Sequence, residues 1–188
     1  MDDELMQEAF DLAHKALALK EVPVGCVMTF GDSKLVIGRG CNEVNRTKNA
    51  TRHAEIVAID ECLQWKEKHA SRLSVEDLFQ SVTVFCTVEP CIMCADALRQ
   101  LKVGKIIFGC RNARFGASLV DFWTKYGFDS PEKLQEGLRK SDAIDLLKQF
   151  YGQENPNAPE PKLKSQKRKR RRSETAAVDA TGPEDQNG

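Results

Sequence analysis

At 188 residues and 41% hydrophobic content, the chain holds enough apolar material for one domain with a real core plus an appendage. No apolar stretch approaches the roughly 20 residues of a membrane span. The acidic start Met1-Asp2-Asp3-Glu4 lacks an apolar export core, so secretion is not expected. The formal net charge of zero hides a division. Residues 162–172 carry 8 basic groups and no acid, residues 173–188 carry 4 acids and no base, and residues 1–161 are left at −4. The first 161 residues are therefore not themselves an obvious nucleic-acid binder. An RNA substrate would draw much of its phosphate attraction from the tail or from a partner.

Apolar residues at Leu5, Ala9, Leu12, Ala16 and Leu19 predict an amphipathic helix over 3–19. Glu21-Val22-Pro23-Val24-Gly25 breaks it, and Val24 to Phe30 reads as a strand. A turn at Gly31-Asp32-Ser33 returns the chain into a second strand from Leu35 to Gly38. The polar stretch 40–52 reads as a loop, with Thr51 as cap for a helix over 53–68 whose apolar run is Ile56, Val57, Ile59 and Leu63. A short helix is expected around 74–79, then a strand at 82–88 so continuously apolar that it fits a sheet buried on both faces. Helix 91–101 and strand 105–109 follow. In 111–141 aromatics crowd beside glycines, which suits either packing of a C-terminal flank or a loop rimming a pocket or partner surface. Residues 141–151 read as a helix with Ala143, Ile144, Leu147 and Phe150 on one stripe. The order of hairpin, then α-β-α-β, predicts a three-layer α/β/α sandwich. The expected division is a domain over 1–160 and a disordered tail over 161–188, the latter rich in charge and poor in hydrophobics.

Two segments carry the chemistry: His53-Ala54-Glu55 and Pro90-Cys91-Ile92-Met93-Cys94. Together they offer one imidazole, two thiolates and a carboxylate that need not bind metal. Zinc takes N and S ligands, and a catalytic zinc keeps a position open for water, so three ligands plus a spare acid suit hydrolysis. The rival reading of Cys-x-x-Cys is half of a structural zinc knuckle or a redox pair. No further Cys or His stands at short ligand spacing to complete a knuckle. Cys91 and Cys94, three apart on a helix, project from one face, and Pro90 suits its first turn. Glu55 has a plain reading as a solvated first-turn glutamate, favoured there by the helix dipole. Its place beside a metal ligand favours instead a group that carries protons. The other cysteines, 26, 41, 62, 86 and 110, read as reduced thiols in or near the core of a cytoplasmic or nuclear protein.

The pattern His-x-Glu…Pro-Cys-x-x-Cys is known for zinc nucleobase deaminases. The chain resembles the tRNA adenosine deaminases of the cytidine-deaminase-like superfamily, and more closely their eukaryotic catalytic subunit. The likeness rests on Glu21-Val22-Pro23-Val24-Gly25, Asn42, His53-Ala54-Glu55 and Thr87-Val88-Glu89-Pro90-Cys91-Ile92-Met93-Cys94. It continues through Gly109-Cys110-Arg111-Asn112, Arg114-Phe115-Gly116 and the Phe150-Tyr151…Glu154-Asn155-Pro156-Asn157-Ala158-Pro159 ending. The resemblance implies one Zn2+ per chain on His53, Cys91 and Cys94, with Glu55 as proton shuttle. It implies that Asn42 hydrogen-bonds the purine, Val24 packs against the base and the backbone near Ala54 helps fix the attacking oxygen. It further implies adenosine-to-inosine conversion at the tRNA wobble position, in a heterodimer with a related, catalytically degenerate subunit. The likeness also implies a mixed central sheet of about five strands, but residues 121–133 depart from the family pattern, which leaves open whether the fifth strand falls near 133–137. Rival functions are deamination of free bases or nucleotides and a zinc-bearing scaffold without activity; the intact Glu55 argues against the scaffold. The basic run, with Lys167, Arg168, Lys169, Arg170, Arg171 and Arg172, reads as an RNA contact, a nuclear import signal or a solubilising terminus.

Overall fold

Five strands form one mixed sheet in the order β2-β1-β3-β4-β5. The computed structural model describes residues 1–152, and Met1–Tyr151 make one compact unit. The expected boundary at residue 160 and the tail 161–188 lie outside the described residues. The strands are β1 (Gly25–Phe30), β2 (Leu35–Cys41), β3 (Val82–Val88), β4 (Lys105–Cys110) and β5 (Leu134–Glu136). β1 runs antiparallel to both β2 and β3, whereas β3, β4 and β5 are parallel. Among the described residues seven α-helices and one 3-10 turn (Ala117–Val120) accompany them: α1 (Asp2–Ala18), α2 (Val44–Thr47), α3 (Ala54–His69), α4 (Val75–Gln80), α5 (Ile92–Gln100), α6 (Phe122–Lys125) and α7 (Lys140–Gly152). Among the described residues no helix is long and apolar enough to cross a membrane.

The alternation of side chains along each strand divides the core in two. Cys26, Met28, Val84, Cys86, Ile106 and Phe108 face a cluster with residues of α3, α4 and α5. Val27, Phe85 and Ile107 face the opposite cluster, covered by α1 and α7. Helices on both faces of one sheet make the three-layer sandwich expected. β3 lies at its centre, and six of its seven residues are buried.

Several local expectations change. The second strand continues to Cys41, and α2 forms a single turn inside what reads as loop. Leu19 is exposed, and α1 instead buries Met6, Phe10 and Ala13 alongside Leu5, Ala9 and Ala16. On α3 the buried stripe is Ala54, Ala58 and Cys62 with Ile59, while Ile56, Val57 and Leu63 are only half-buried. The reason lies on β2. Gly38 and Gly40 face α3 and have no room for a side chain, so small residues at i, i+4 and i+8 let helix and strand touch backbone to backbone. A Cβ on Gly40 would overlap the Ala54 carbonyl oxygen and stand 2.7 Å from the Ala58 nitrogen.

That contact fixes where α3 begins, and with it His53. Gly40→Ala is expected to lower unfolding free energy by about 1–3 kcal/mol in urea titrations and to reduce bound zinc. A variant with wild-type stability and full zinc would contradict this seating.

Candidate active site

The starts of α3 and α5 converge at one edge of the sheet. β1 begins there, β2 ends there, and β3 and β4 both run towards it, the edge where open α/β sheets form crevices. His53 is the N-cap residue of α3, in extended backbone conformation, and Cys91 holds the same position on α5. Neither side chain caps its own helix, so both stay free to point outward. Thr51 is not the cap of α3; its hydroxyl donates to Asn49 Oδ1 instead. Pro90 precedes the cap of α5 rather than opening its first turn. Cys94 is the third residue of α5, the position that an N-cap side chain meets across the first turn.

His53 Nδ1 lies 3.4 Å from Cys91 Sγ and 3.5 Å from Cys94 Sγ. All three ligand atoms fall within 4.8 Å of one another. Tetrahedral zinc with bonds of about 2.0–2.1 Å to nitrogen and about 2.3 Å to sulfur separates its N and S ligands by about 3.5 Å. The set therefore fits zinc in both donor type and spacing. The Cys91 thiol is pulled down to about 4, chiefly by the hydrogen bond it shares with Cys94 and next by that with His53. The Cys94 thiol is pushed up by the same bond and by burial, and His53 is raised by its bond to Cys91. The α5 N-terminus favours the thiolate form of both cysteines.

Glu55, in the first turn of α3, is buried at 3% exposure. It stands outside the group of mutually close ligand atoms yet close enough for Cys91, His53 and Cys94 all to act on its protonation. Burial pushes its carboxyl above the usual range. This is a protonatable acid beside the His53, Cys91 and Cys94 group, not a solvated first-turn glutamate.

Val24 and Asn42 sit side by side at the mouth of the β1–β2 hairpin, joined by the Asn42 amide donating to the Val24 carbonyl (3.2 Å). The Glu43 amide donates to the Arg52 carbonyl at 2.9 Å, which brings the residue after Asn42 beside the residue before His53. Val24 is half-buried, Asn42 is buried, and Ala54 is the fully buried first residue of α3. Lys167 to Arg172 lie outside the described residues. The aromatics of 111–141 divide: Phe122, Trp123 and Phe128 are core, whereas Phe115 is exposed beside Cys91.

Residues 1–110 match the family model for the cytidine and deoxycytidylate deaminase zinc-binding region. The chain is 47% identical over 169 residues to tRNA-specific adenosine deaminase 2 of Xenopus laevis, covering 85% of this chain and 91% of that protein. The chain is a member of the tRNA-specific adenosine deaminases. A Streptococcus pyogenes tRNA-specific adenosine deaminase is 32% identical over 150 residues, covering 79% of this chain and 88% of that one. A solved structure from work on A-to-I editing by tRNA:A34 deaminases at the wobble position superposes with a TM-score of 0.64 at 26% identity, over 77% of this chain and 99% of that one. A guanine deaminase from Nitrosomonas europaea superposes with a TM-score of 0.65 over 80% of this chain and 85% of that one; at 19% identity it shares the fold.

Within this family site, two buried carboxylates play parts that sequence reasoning missed. Glu21, 1% exposed, accepts from Asn42 Nδ2 at 3.2 Å and from the Arg46 amide at 2.8 Å. A carboxylate only accepts, so it fixes which end of the Asn42 amide turns inward. Glu89, 2% exposed, holds a set of donors just before Cys91. Each stands in a motif that carries the family likeness, and the signal was an acid set among apolar residues. Among the described residues no buried side-chain nitrogen or oxygen lacks a partner.

Because Cys94 keeps its proton while Cys91 is already ionised, zinc uptake at mildly alkaline pH is expected to release at least one proton per metal. Titration calorimetry in buffers of different ionisation enthalpy measures it. His53→Ala or Cys94→Ser should cut zinc content from one per chain to nearly none.

Proposed function

We propose that this chain converts adenosine to inosine by hydrolytic deamination at the wobble position of tRNA anticodons, as the catalytic half of a heterodimer with a related, degenerate subunit. The observation that carries this reading is Glu55, buried beside a three-ligand N/S/S group and not part of it. Zinc, when bound there by His53, Cys91 and Cys94, supplies the Lewis acidity that makes water a nucleophile near neutral pH. Glu55 takes a proton from the attacking water and delivers it to the adenine ring nitrogen. The second proton passes through the same carboxylate to the departing amino group, so adenosine and water become inosine and ammonia. An unpaired anticodon base is cheap to extrude into such a crevice.

Asn42 hydrogen-bonds the purine, with its amide held by Glu21, and Val24 packs against the base. First-turn amides of a helix have no partner within it, which supports a part for the backbone near Ala54 in holding the attacking oxygen. Exposed Ile92, Leu119 and Val120, with Phe115, leave apolar surface beside the site, which supports a covering partner. The charge of −4 over residues 1–161 supports the same reading, because RNA attraction must come from elsewhere. Lys167, Arg168, Lys169, Arg170, Arg171 and Arg172 supply part of it, in a protein of the cytoplasm, the nucleus or both.

Glu55→Gln is expected to keep zinc while inosine formation in a tRNA pool falls by about 10²–10⁴-fold. Substantial turnover by that variant would remove Glu55 from the chemistry. Deleting residues 162–188 should weaken tRNA binding and flatten its salt dependence by about 0.7–0.9 log units for each phosphate that the tail neutralises. Unchanged affinity across salt concentrations would assign the basic run to import or solubility.

A further inference from the structure

We infer that Glu89 is a positioning residue: its buried carboxylate clamps the 112–123 segment against the Cys91 turn and so sets one wall of the reaction site. Glu89 Oε2 accepts from the Asn112 amide at 3.0 Å. Glu89 Oε1 accepts from the Ser118 amide at 2.9 Å, the Trp123 indole at 2.9 Å and the Ser118 hydroxyl. Every donor is neutral and three come from the far side of one loop. A buried carboxylate is tolerated when donors meet its charge, and here one loop supplies them.

The clamp is continuous with the metal ligands. Cys91 pairs with Gly116 in an antiparallel bridge, the Ile92 amide donates to Phe115 O at 3.1 Å, and the Ala117 amide donates to Pro90 O at 3.2 Å. Gly116 is close under the carboxylate. A Cβ there would overlap Glu89 Oε2 and stand 2.6 Å from the Asn112 carbonyl oxygen. Asn112 Oδ1 in turn accepts from the Phe115 amide at 3.0 Å, so the clamped turn sets the exposed Phe115 and Arg114. The clamped turn is therefore in backbone contact with the residues that begin α5, Cys91 among them.

Glutamine at position 89 has the same shape but a single acceptor oxygen. If that oxygen keeps the Ser118 and Trp123 donors, an NH2 group meets the Asn112 amide and the turn carrying Phe115 is released. This inference uses the proposed tRNA activity for one of its readouts. In the full chain with its partner, Glu89→Gln should keep one zinc per chain and speed hydrogen exchange of the Asn112 amide. Its KM for tRNA should rise about tenfold with kcat within about threefold of wild type. Gly116→Ala should give the same KM rise, and the double variant little more than the worse single one. Wild-type KM and Asn112 exchange in Glu89→Gln would overturn the inference. So would kcat falling in step with zinc content at constant KM, which marks a residue needed only for folding. If Glu89→Gln does not fold, Gly116→Ala decides by the same criteria. Should the wild-type chain form no inosine, the functional reading fails, while Asn112 exchange and zinc content still judge the clamp.

Discussion

Two helix N-termini aimed at one point are the constraint from which the site follows. An N-cap residue leaves the helical backbone path, so its side chain is free to turn towards whatever lies beyond the helix end. His53 and Cys91 occupy that position on α3 and α5, and Cys94 reaches the same point from the first turn of α5. Parallel β3 and β4 deliver their C-terminal ends to this edge, and the glycines of β2 let α3 approach closely enough to bring the imidazole within 3.5 Å of both sulfurs. The α5 N-terminus also favours negative charge at the sulfurs, which adds to the pull on Cys91, while its bond to Cys91 and burial keep the proton on Cys94.

Around that point the protein uses three buried carboxylates in different ways. Glu55 is nearly dry and its carboxyl is raised, which suits a group that must hold and release a proton. Glu21 and Glu89 are equally buried but each accepts from several donors. A carboxylate with its lone pairs occupied is a rigid junction, and in a dry site such a junction is hard to move. One junction lies on the Asn42 side of the crevice and the other on the Cys91 side. The His53, Cys91 and Cys94 group thus sits between two loops, and on the Cys91 side the acceptor acts together with the core packing of Ala117, Phe122 and Trp123.

The surface tells a complementary story. Apolar side chains at Ile92, Phe115, Leu119 and Val120 are exposed close to the metal ligands, while the basic charge is concentrated far along the sequence. A crevice that handles a polyanion with little positive charge of its own depends on what is brought to it. This is the physical ground on which we propose that the tail and a second subunit share in tRNA recognition.

Much of this was legible in the chain itself. Alternating or continuous apolar runs mark β1, β3 and β4, because burial on a sheet leaves few other residues possible there. The N, S, S and carboxylate set is readable because zinc accepts few ligand types, and the five remaining cysteines are buried free thiols as their reduced reading implies. Other features were not legible. The short β5 is only three residues long and forms because β4 offers an open edge, which no local periodicity announces. The buried face of α3 follows the glycines of β2, not its own largest side chains. α3 is capped by His53 instead of the expected Thr51, and Pro90 stands before the Cys91 cap instead of in the first turn of α5; in both helices the chain leaves extended backbone only at the ligand residue. Residue identity alone thus determined which atoms could do the chemistry. Only the tertiary structure decided that Glu21 and Glu89 hold the loops around them, because a hydrogen bond between positions tens of residues apart leaves no mark on either neighbourhood.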